Sequence, residues 1–267
     1  MHSINIITRG SGPPLVLIPR LEGRWEYMGP AVDALARSFR VLTFPLCGEP
    51  ASGLPLDRAR GLDNYVSQVV RALDEQRIDR AIICGVSFGG VVAVRFAATR
   101  PERTAALVLA STPGPAWRLR PRHLLYARAP WLFGPLFVAE TPWRLRAEMA
   151  AAFPRRRTRL RFALSQIGTF VRAPLSLARM AERARIISSL DLAGDCARIT
   201  APTLVITGEP HLDHIVPVEG SSEYVRLIPG ARGVVLERTG HQGVMTRPDA
   251  FADLVRAFVE NPRHAAA

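Results

Sequence analysis

The sequence predicts an α/β fold, in which a mostly parallel sheet carries helices on both faces and a helical segment is inserted into the chain. Continuous apolar runs at residues 14–19, 80–84, 105–110 and 203–207 are typical of strands buried on both sides. Helical segments separate these runs, and such alternation favours a parallel sheet. Between residues 113 and 200 the alternation stops, and helix-like pieces separated by prolines replace it.

The predicted elements follow a regular order along the chain. Before the insertion they are a strand at 4–8, the strand at 14–19, a helix at 30–38, a strand at 40–44, a helix at 63–75, the strand at 80–84, a helix at 90–98 and the strand at 105–110. After it they are the strand at 203–207, a helix at 218–227, a strand at 232–236 and a helix at 249–259. Pro30 and Asp63 are residue types that favour the start of a helix.

This order predicts a core in two pieces, residues 1–112 and 201–267, with a helical lid over residues 113–200. A chain of 267 residues is long enough to bury such a core. No apolar run reaches the roughly 18 residues of a membrane span, and the first five residues do not resemble a secretory signal. Because the three cysteines are far apart and form no C-x-x-C, we expect a cytoplasmic location without disulfides.

The pentapeptide Gly-Val-Ser-Phe-Gly at residues 85–89 lies between a predicted strand and a predicted helix. G-x-S-x-G at such a junction is the nucleophile elbow, a tight turn that projects the serine above the sheet edge. The backbone N–H of Phe88 then points to where a carbonyl oxygen would gain negative charge. A second donor is expected near Leu21, in the loop after the strand at 14–19. We therefore predict Ser87 as the nucleophile, with Phe88 and Leu21 in the oxyanion hole.

A serine hydroxyl needs a neighbouring base to accept its proton. His241 follows the last predicted strand, on the same sheet edge as the elbow. Asp213 follows the strand at 203–207 and would orient the imidazole. In chain order the three residues are Ser87, Asp213 and His241, which is one of the orders that catalytic triads take, and Glu209 is the alternative acid.

The chain resembles the α/β-hydrolase fold superfamily over essentially its whole length. The matching segments are residues 17–23, 85–90, 208–217 and 240–241. The resemblance implies a serine-nucleophile member with an inserted helical cap. Within the superfamily, Ser87 argues against the haloalkane dehalogenases and epoxide hydrolases, which carry Asp at the elbow.

Two departures from the superfamily pattern are visible. Its members usually carry His-Gly where this chain has Pro19-Arg20, and Gly-x-Gly-x-Ser where it has residues 47–52. In the His-Gly pair, the glycine stands where this chain has Arg20. It lets the backbone turn so that the N–H of the next residue faces the substrate. One alternative is that Arg20 adopts the same backbone conformation at a cost of about 1 kcal/mol. Its side chain either aims into the pocket, where it could bind an acidic group, or points to solvent or pairs with Glu22 or Glu49.

The lid holds most of the excess positive charge. The formal net charge is +12, all 35 basic residues are arginine, and residues 112–200 hold sixteen of them against five acids. The arginine run at 154–161 is typical of a solvated face, and it could also make a weak contact with an acidic membrane surface or with the phosphates of a thioester carrier. Nucleic acid is not expected, because no recognised binding fold accompanies the charge.

Lid aromatic residues, Trp131 and Trp143 among them, either line an apolar acyl pocket or pack the lid helices onto the core. The H-x-x-H pair at 211 and 214 has no apparent third ligand, so we predict no metal. The predicted chemistry needs no cofactor.

The sequence therefore predicts a serine hydrolase that cleaves a carboxylic ester or related small acyl compound through an acyl-enzyme. The alternatives are a lyase, peptidase, thioesterase or carbon–carbon bond hydrolase with the same triad, or a non-catalytic binding protein that retains it. No oligomeric state is indicated.

Overall fold

The computed structural model describes residues 4–261, which form a seven-stranded sheet and twelve α-helices. The strands are β1 (Ile7–Arg9), β2 (Pro14–Ile18), β3 (Arg40–Thr43), β4 (Ala81–Val86), β5 (Thr104–Ala110), β6 (Thr203–Thr207) and β7 (Arg232–Val235). The helices are α1 (Gly29–Leu35), α2 (Asp63–Glu75), α3 (Phe88–Thr99), α4 (Pro121–Arg128), α5 (Pro130–Ala139), α6 (Thr141–Ala152), α7 (Arg156–Arg172), α8 (Leu177–Ser189), α9 (Ala193–Arg198), α10 (Val218–Leu227), α11 (Gly243–Thr246) and α12 (Pro248–Glu260).

The sheet has the order β1-β3-β2-β4-β5-β6-β7. β1 is antiparallel to β3, and every other neighbouring pair is parallel. Parallel neighbours need crossover connections, and here those connections include helices that cover the sheet. The predicted fold class is therefore confirmed: a mostly parallel sheet with helices around it and a helical insertion.

Alternate residues of each central strand point to opposite faces of the sheet. Val16 and Ile18 of β2 belong to a core shared with helices α2, α3 and α10. Leu15 and Leu17 of the same strand belong to a second core, shared with α1, α11 and α12. Both faces are thus buried, which explains why these strands read as continuous apolar runs.

The first strand, β1, spans only Ile7–Arg9, so it is shorter than predicted and begins later. Its partner β3 offers three paired positions, from Val41 to Thr43. Ile4 is instead buried in the core beside α2. The predicted strand at 4–8 is corrected accordingly.

Six helices, α4 to α9, lie between β5 and β6, and no strand occurs among residues 113–200, all of which the structure describes. We use the name lid for helices α4 to α9 because of their place in the chain. The division into a core domain and a lid domain with the stated boundaries stays a prediction, and its outermost residues, 1–3 and 262–267, lie outside the described range. Across residues 4–261, no helix combines the length and the apolar character needed to cross a bilayer.

Candidate active site

The turn between β4 and α3 is strained at Ser87. The serine has φ 53° and ψ −116°, in the half of backbone space that residues with a side chain rarely adopt. A methyl group on Gly85 would collide with the carbonyl of Gly89, and one on Gly89 would collide with the carbonyl of Ile18. Both glycines are therefore required by close backbone approach, and the turn has the shape of the predicted elbow.

Ser87, His241 and Asp213 lie side by side at the carboxyl edge of the sheet. His241 Nε2 is 3.1 Å from Ser87 Oγ, and His241 Nδ1 is 3.4 Å from Asp213 Oδ2. All three side chains are buried. The structure thus brings together three residues that the sequence places 154 and 28 positions apart.

The loop after β6 fixes the Asp213 carboxylate. Its Oδ1 accepts hydrogen bonds from the backbone N–H groups of Ile215 and Val216, each at 2.9 Å, which leaves Oδ2 facing the imidazole. Burial raises the pKa of Asp213, but His241 and these hydrogen bonds outweigh it and hold that pKa below its ordinary value. The carboxylate therefore stays ionised beside the histidine at neutral pH.

Glu209, the alternative acid, points elsewhere. Its Oε1 accepts a hydrogen bond from the backbone N–H of Arg238 at 2.6 Å, and its Oε2 lies 3.5 Å from His211 Nε2. Of the two candidate acids, the structure places Asp213 against His241.

The loops after β6 and β7 pack tightly against each other. The Glu209 N–H donates to the carbonyl of Thr239 at 2.8 Å. A methyl group on Gly240 would collide with the carbonyl of Leu212, so glycine is needed directly before His241. This packing sets the distance between Asp213 and His241.

The two predicted oxyanion donors are Phe88, which follows Ser87 in the chain, and Leu21, which lines the same cavity as Ser87. Within residues 4–261, neither backbone N–H donates a hydrogen bond to another residue. Phe88 is the first residue of α3, where a free N–H is expected. Leu21 and Ser87 are among the described residues that line the cavity, whereas Phe88, the residue after Ser87, is not.

Arg20 lines the cavity and also forms an ion pair with Glu22. Two of the predicted alternatives, a side chain in the pocket and a pair with Glu22, therefore hold together. Its Nη2 donates to Glu22 Oε1 at 2.9 Å, and its Nη1 donates to Gln242 Oε1 at 2.5 Å. The side chain is buried, so the alternative that it points to solvent is excluded. The Glu22 carboxylate compensates its charge within the cavity wall.

Glu49 pairs with a residue that the sequence analysis did not single out, Arg183 of α8. Arg183 Nη2 donates to Glu49 Oε1 at 2.6 Å, and both side chains are essentially inaccessible to solvent. Arg183 Nη1 also donates to the carbonyl of Leu21 at 3.0 Å. Buried Arg183 of α8 thus holds the carbonyl of Leu21, the residue after Arg20, and Glu49, within the departure at residues 47–52, supplies its counter-ion.

A second residue missed from the sequence is Glu148 of α6. Its Oε1 accepts a hydrogen bond from the backbone N–H of Gln242 at 2.7 Å, and its side chain is fully buried. Burial raises the pKa of Glu148 above its ordinary value, although hydrogen bonds from Gly240 and Gln242 and the charge of His241 oppose this. The signal in the sequence was slight: Glu148 is one of only five acids among the sixteen arginines of residues 112–200.

A cavity of about 560 Å³ opens above Ser87 and His241. Its wall is mostly apolar and comes largely from the lid, with contributions from Trp117, Phe137 and Met180. Trp131 and Trp143 are not brought to Ser87: neither is among the described residues that line this cavity, and they are 80% and 68% exposed on the lid surface.

The model of the alpha/beta hydrolase family matches residues 15–254. A pimeloyl-[acyl-carrier protein] methyl ester esterase of Nitrosomonas europaea is 27% identical over 97% of this chain and 100% of its own length. A 2-hydroxymuconate semialdehyde hydrolase of a Pseudomonas species (strain CF600) is 29% identical over 96% of this chain and 89% of its own.

Among solved structures, the enol-lactonase of Burkholderia xenovorans LB400 superposes with a TM-score of 0.79 at 25% identity, covering 96% of both chains. The region matched by the family model contains β3 to β7, all of β2 except its first residue, and the loops that carry Ser87, Asp213 and His241. The chain therefore belongs to the alpha/beta hydrolase family and is a hydrolase.

Proposed function

We propose that this hydrolase cleaves a carboxylic ester or a related acyl compound through a Ser-His-Asp triad and a covalent acyl-enzyme. The observation that carries the proposal is the 3.1 Å separation of His241 Nε2 and Ser87 Oγ on a strained elbow. This separation lies within the hydrogen-bond reach required of a general base.

In the first step, Ser87 Oγ attacks the substrate carbonyl carbon while His241 Nε2 accepts the hydroxyl proton. The carbonyl oxygen becomes an oxyanion beside the free N–H groups of Phe88 and Leu21. When the bond to the leaving alcohol breaks, His241 returns the proton to that alcohol, and the acyl group remains on Ser87.

In the second step, a water molecule attacks the acyl carbon and His241 accepts the water proton. The bond to Ser87 breaks, the serine recovers its proton from His241, and the carboxylic acid leaves. The ionised Asp213 stabilises the imidazolium in both halves of the cycle and keeps Nδ1 protonated.

The cavity favours an uncharged, apolar substrate. A volume of about 560 Å³ lies within the range of small-molecule sites. Two arginines are among the described residues that line the cavity: Arg144, whose Nη2 donates to the Phe137 carbonyl, and Arg20, whose charge Glu22 compensates at 2.9 Å. An acidic group beside Arg20 would meet a neutral ion pair rather than a free cation.

The names of the relatives indicate that enzymes similar to this chain hydrolyse more than one kind of bond. The names of the Nitrosomonas enzyme and the Burkholderia enzyme indicate ester and lactone substrates, whereas the Pseudomonas enzyme is named as a semialdehyde hydrolase. That last name keeps cleavage of a carbon–carbon bond as the second candidate, since the same triad and cavity would serve it.

Active-site labelling tests the proposal. A fluorophosphonate probe should label the wild type and fail to label folded Ser87→Ala, because only an activated serine reacts. Ser222→Ala, an exposed serine of α10, is the matched control and should label like the wild type. Hydrolysis of p-nitrophenyl esters should follow the same pattern.

Two outcomes would contradict the proposal. Labelling of Ser87→Ala at the wild-type level would show that another residue is the nucleophile. Folded wild-type protein that neither labels nor turns over any ester or thioester would favour the non-catalytic binding alternative.

A further inference from the structure

The lid surface carries an unusual amount of exposed apolar area. Of the thirteen large apolar side chains that are exposed within residues 4–261, eleven belong to helices α4 to α7. They are Leu125, Trp131, Leu132, Leu136, Val138, Trp143, Leu160, Leu164, Ile167, Phe170 and Val171. Exposed apolar groups scattered singly need no explanation, but a concentration in one segment does.

Helix α7 presents a continuous aliphatic stripe to solvent. Leu160, Leu164, Ile167 and Val171 follow one another at helical spacing, and each is between 57% and 74% exposed. Thr169, on the opposite side, is the one buried residue of this helix. The apolar face of α7 is therefore turned outward, which is the reverse of a helix that packs on a core.

Arginines flank this stripe without any acid to compensate them. Residues 149–181 contain seven arginines and no aspartate or glutamate. At 100° per residue, Arg156 and Arg157 lie directly beside the stripe and Arg161 lies further round, and all three are exposed. An aliphatic face bordered by cations is the pattern of a helix that lies in the plane of an anionic bilayer.

The two exposed tryptophans fit the same environment. Trp143 stacks under the guanidinium of Arg146, with 3.7 Å from the Arg146 Cζ to the ring, and both side chains are exposed. Tryptophan beside arginine matches the headgroup level of a bilayer, where an amphipathic ring and a cation are both stabilised.

We call the eleven exposed side chains the exposed apolar patch, and three of them also line the cavity above Ser87. Val138 of α5 and Ile167 and Phe170 of α7 are exposed and also line that cavity. A surface that covers the patch would therefore lie at the entrance of the proposed active site.

We propose that helices α5 and α7, with Trp143, dock this protein on an anionic lipid bilayer. The aliphatic stripe and Trp131 enter the acyl boundary while Arg156, Arg157 and Arg161 contact lipid phosphates. On the basis of the proposed function, the substrate class is then a lipophilic ester that reaches Ser87 directly from the bilayer through the cavity entrance.

Vesicle sedimentation tests the docking directly. Wild-type protein should bind vesicles of phosphatidylcholine mixed with phosphatidylglycerol and bind vesicles of phosphatidylcholine alone much more weakly. Raising the salt from about 0.1 M to about 1 M shortens the Debye length from about 10 Å to about 3 Å and should release most of the protein. Ser87→Ala should bind equally well, so docking is measured independently of catalysis.

Two variants separate the apolar and the cationic contributions. Leu160→Gln/Leu164→Gln/Val171→Gln removes aliphatic groups that lie outside the cavity wall and should lower vesicle partitioning at least about tenfold. Arg156→Gln/Arg157→Gln/Arg161→Gln should lower partitioning by a similar factor and abolish its salt dependence. Arg226→Gln/Leu227→Gln, a pair of exposed residues on α10, is the matched control and should bind like the wild type.

Turnover of a short water-soluble ester should be unchanged in all three multiple variants. The proposal is overturned if the wild type fails to bind the mixed vesicles at low salt, or if the stripe variant binds them as well as the wild type does. It is also overturned if the wild type sediments as a dimer that the stripe variant abolishes, because a second copy would then cover the patch.

Discussion

Glu148 of the lid helix α6 accepts a hydrogen bond from the backbone N–H of Gln242, the residue that follows His241. This contact joins the lid to the loop that carries the proposed general base. Because the carboxylate is fully buried and Gln242 is also buried, no solvent can replace the bond. The lid therefore contributes to the position of His241 as well as to the cavity wall.

Glu148→Ala should lower the stability of the protein and its kcat together. The Gln242 N–H would be left buried without an acceptor, at a cost of about 1–3 kcal/mol. Loss of the contact would also loosen the His241 loop, so we expect kcat to fall with a small change in KM. Glu148→Gln keeps an amide oxygen as acceptor and should retain most of the activity. Chemical denaturation and ester kinetics on both variants measure this, and equal activity of Glu148→Ala and wild type would refute it.

The stability difference between wild type and Glu148→Gln should depend on pH. Burial raises the pKa of Glu148, so the folded state holds that proton more tightly than the unfolded state does. Tighter proton binding by Glu148 stabilises the folded state. This stabilisation is fully present below the pKa of Glu148 in the unfolded chain and is lost as pH rises through its pKa in the folded state. Wild type should therefore lose stability relative to Glu148→Gln as pH rises from about 4 toward 7. Urea unfolding at several pH values tests the sign, and a pH-independent difference would contradict it.

Asp213→Asn should reduce kcat by about 10³–10⁴-fold with little change in KM. The amide cannot accept the His241 Nδ1–H as a carboxylate does, and it removes the charge that stabilises the imidazolium. Glu209→Gln is the matched control, because that carboxylate faces the Arg238 N–H and should cost little activity. The opposite ranking of the two variants would assign the acid to Glu209.

The Asp213 carboxylate also contributes to stability at neutral pH. Its pKa in the folded state is held below the ordinary value, so the contribution is present above the unfolded pKa and lost as pH falls through the folded pKa. Asp213→Asn should therefore flatten the acid side of the stability profile, which thermal unfolding below pH 5 would show.

The local parts of the fold and site were predictable from the sequence. The elbow at residues 85–89 depends on two glycines and a strand-to-helix junction, all within a few positions of Ser87. His241 and Asp213 follow apolar strands whose carboxyl ends must share one sheet edge. Short-range pattern and the direction of parallel strands are sufficient for these predictions.

The lid contacts were not predictable in the same way. Glu148 meets Gln242 across 94 positions, and Arg183 meets Leu21 across 162. Both residues come from an arginine-rich segment in which charge usually faces solvent, and nothing in the local sequence indicates burial. The outward turn of the apolar face of α7 is a further case, because helical periodicity identifies a stripe but not what it faces.

The buried pair of Arg183 and Glu49 should couple the stability of the protein to the position of Leu21 in the proposed oxyanion hole. Arg183→Met leaves the Glu49 carboxylate buried without a counter-ion, which should cost roughly 3–5 kcal/mol. It also removes the donor to the Leu21 carbonyl. Leu21 should then become less well ordered, together with the preceding peptide group that presents its N–H, and kcat should fall.

A double-mutant cycle separates the two effects. Glu49→Gln keeps Arg183 in place against Leu21, so it should lower stability more than it lowers kcat. Arg183→Met/Glu49→Gln removes the unpaired charge and should recover part of the stability lost in Arg183→Met, while kcat stays low because Leu21 remains unsupported. If kcat recovered in step with stability, Arg183 would act only through folding, and its role in positioning Leu21 would be refuted.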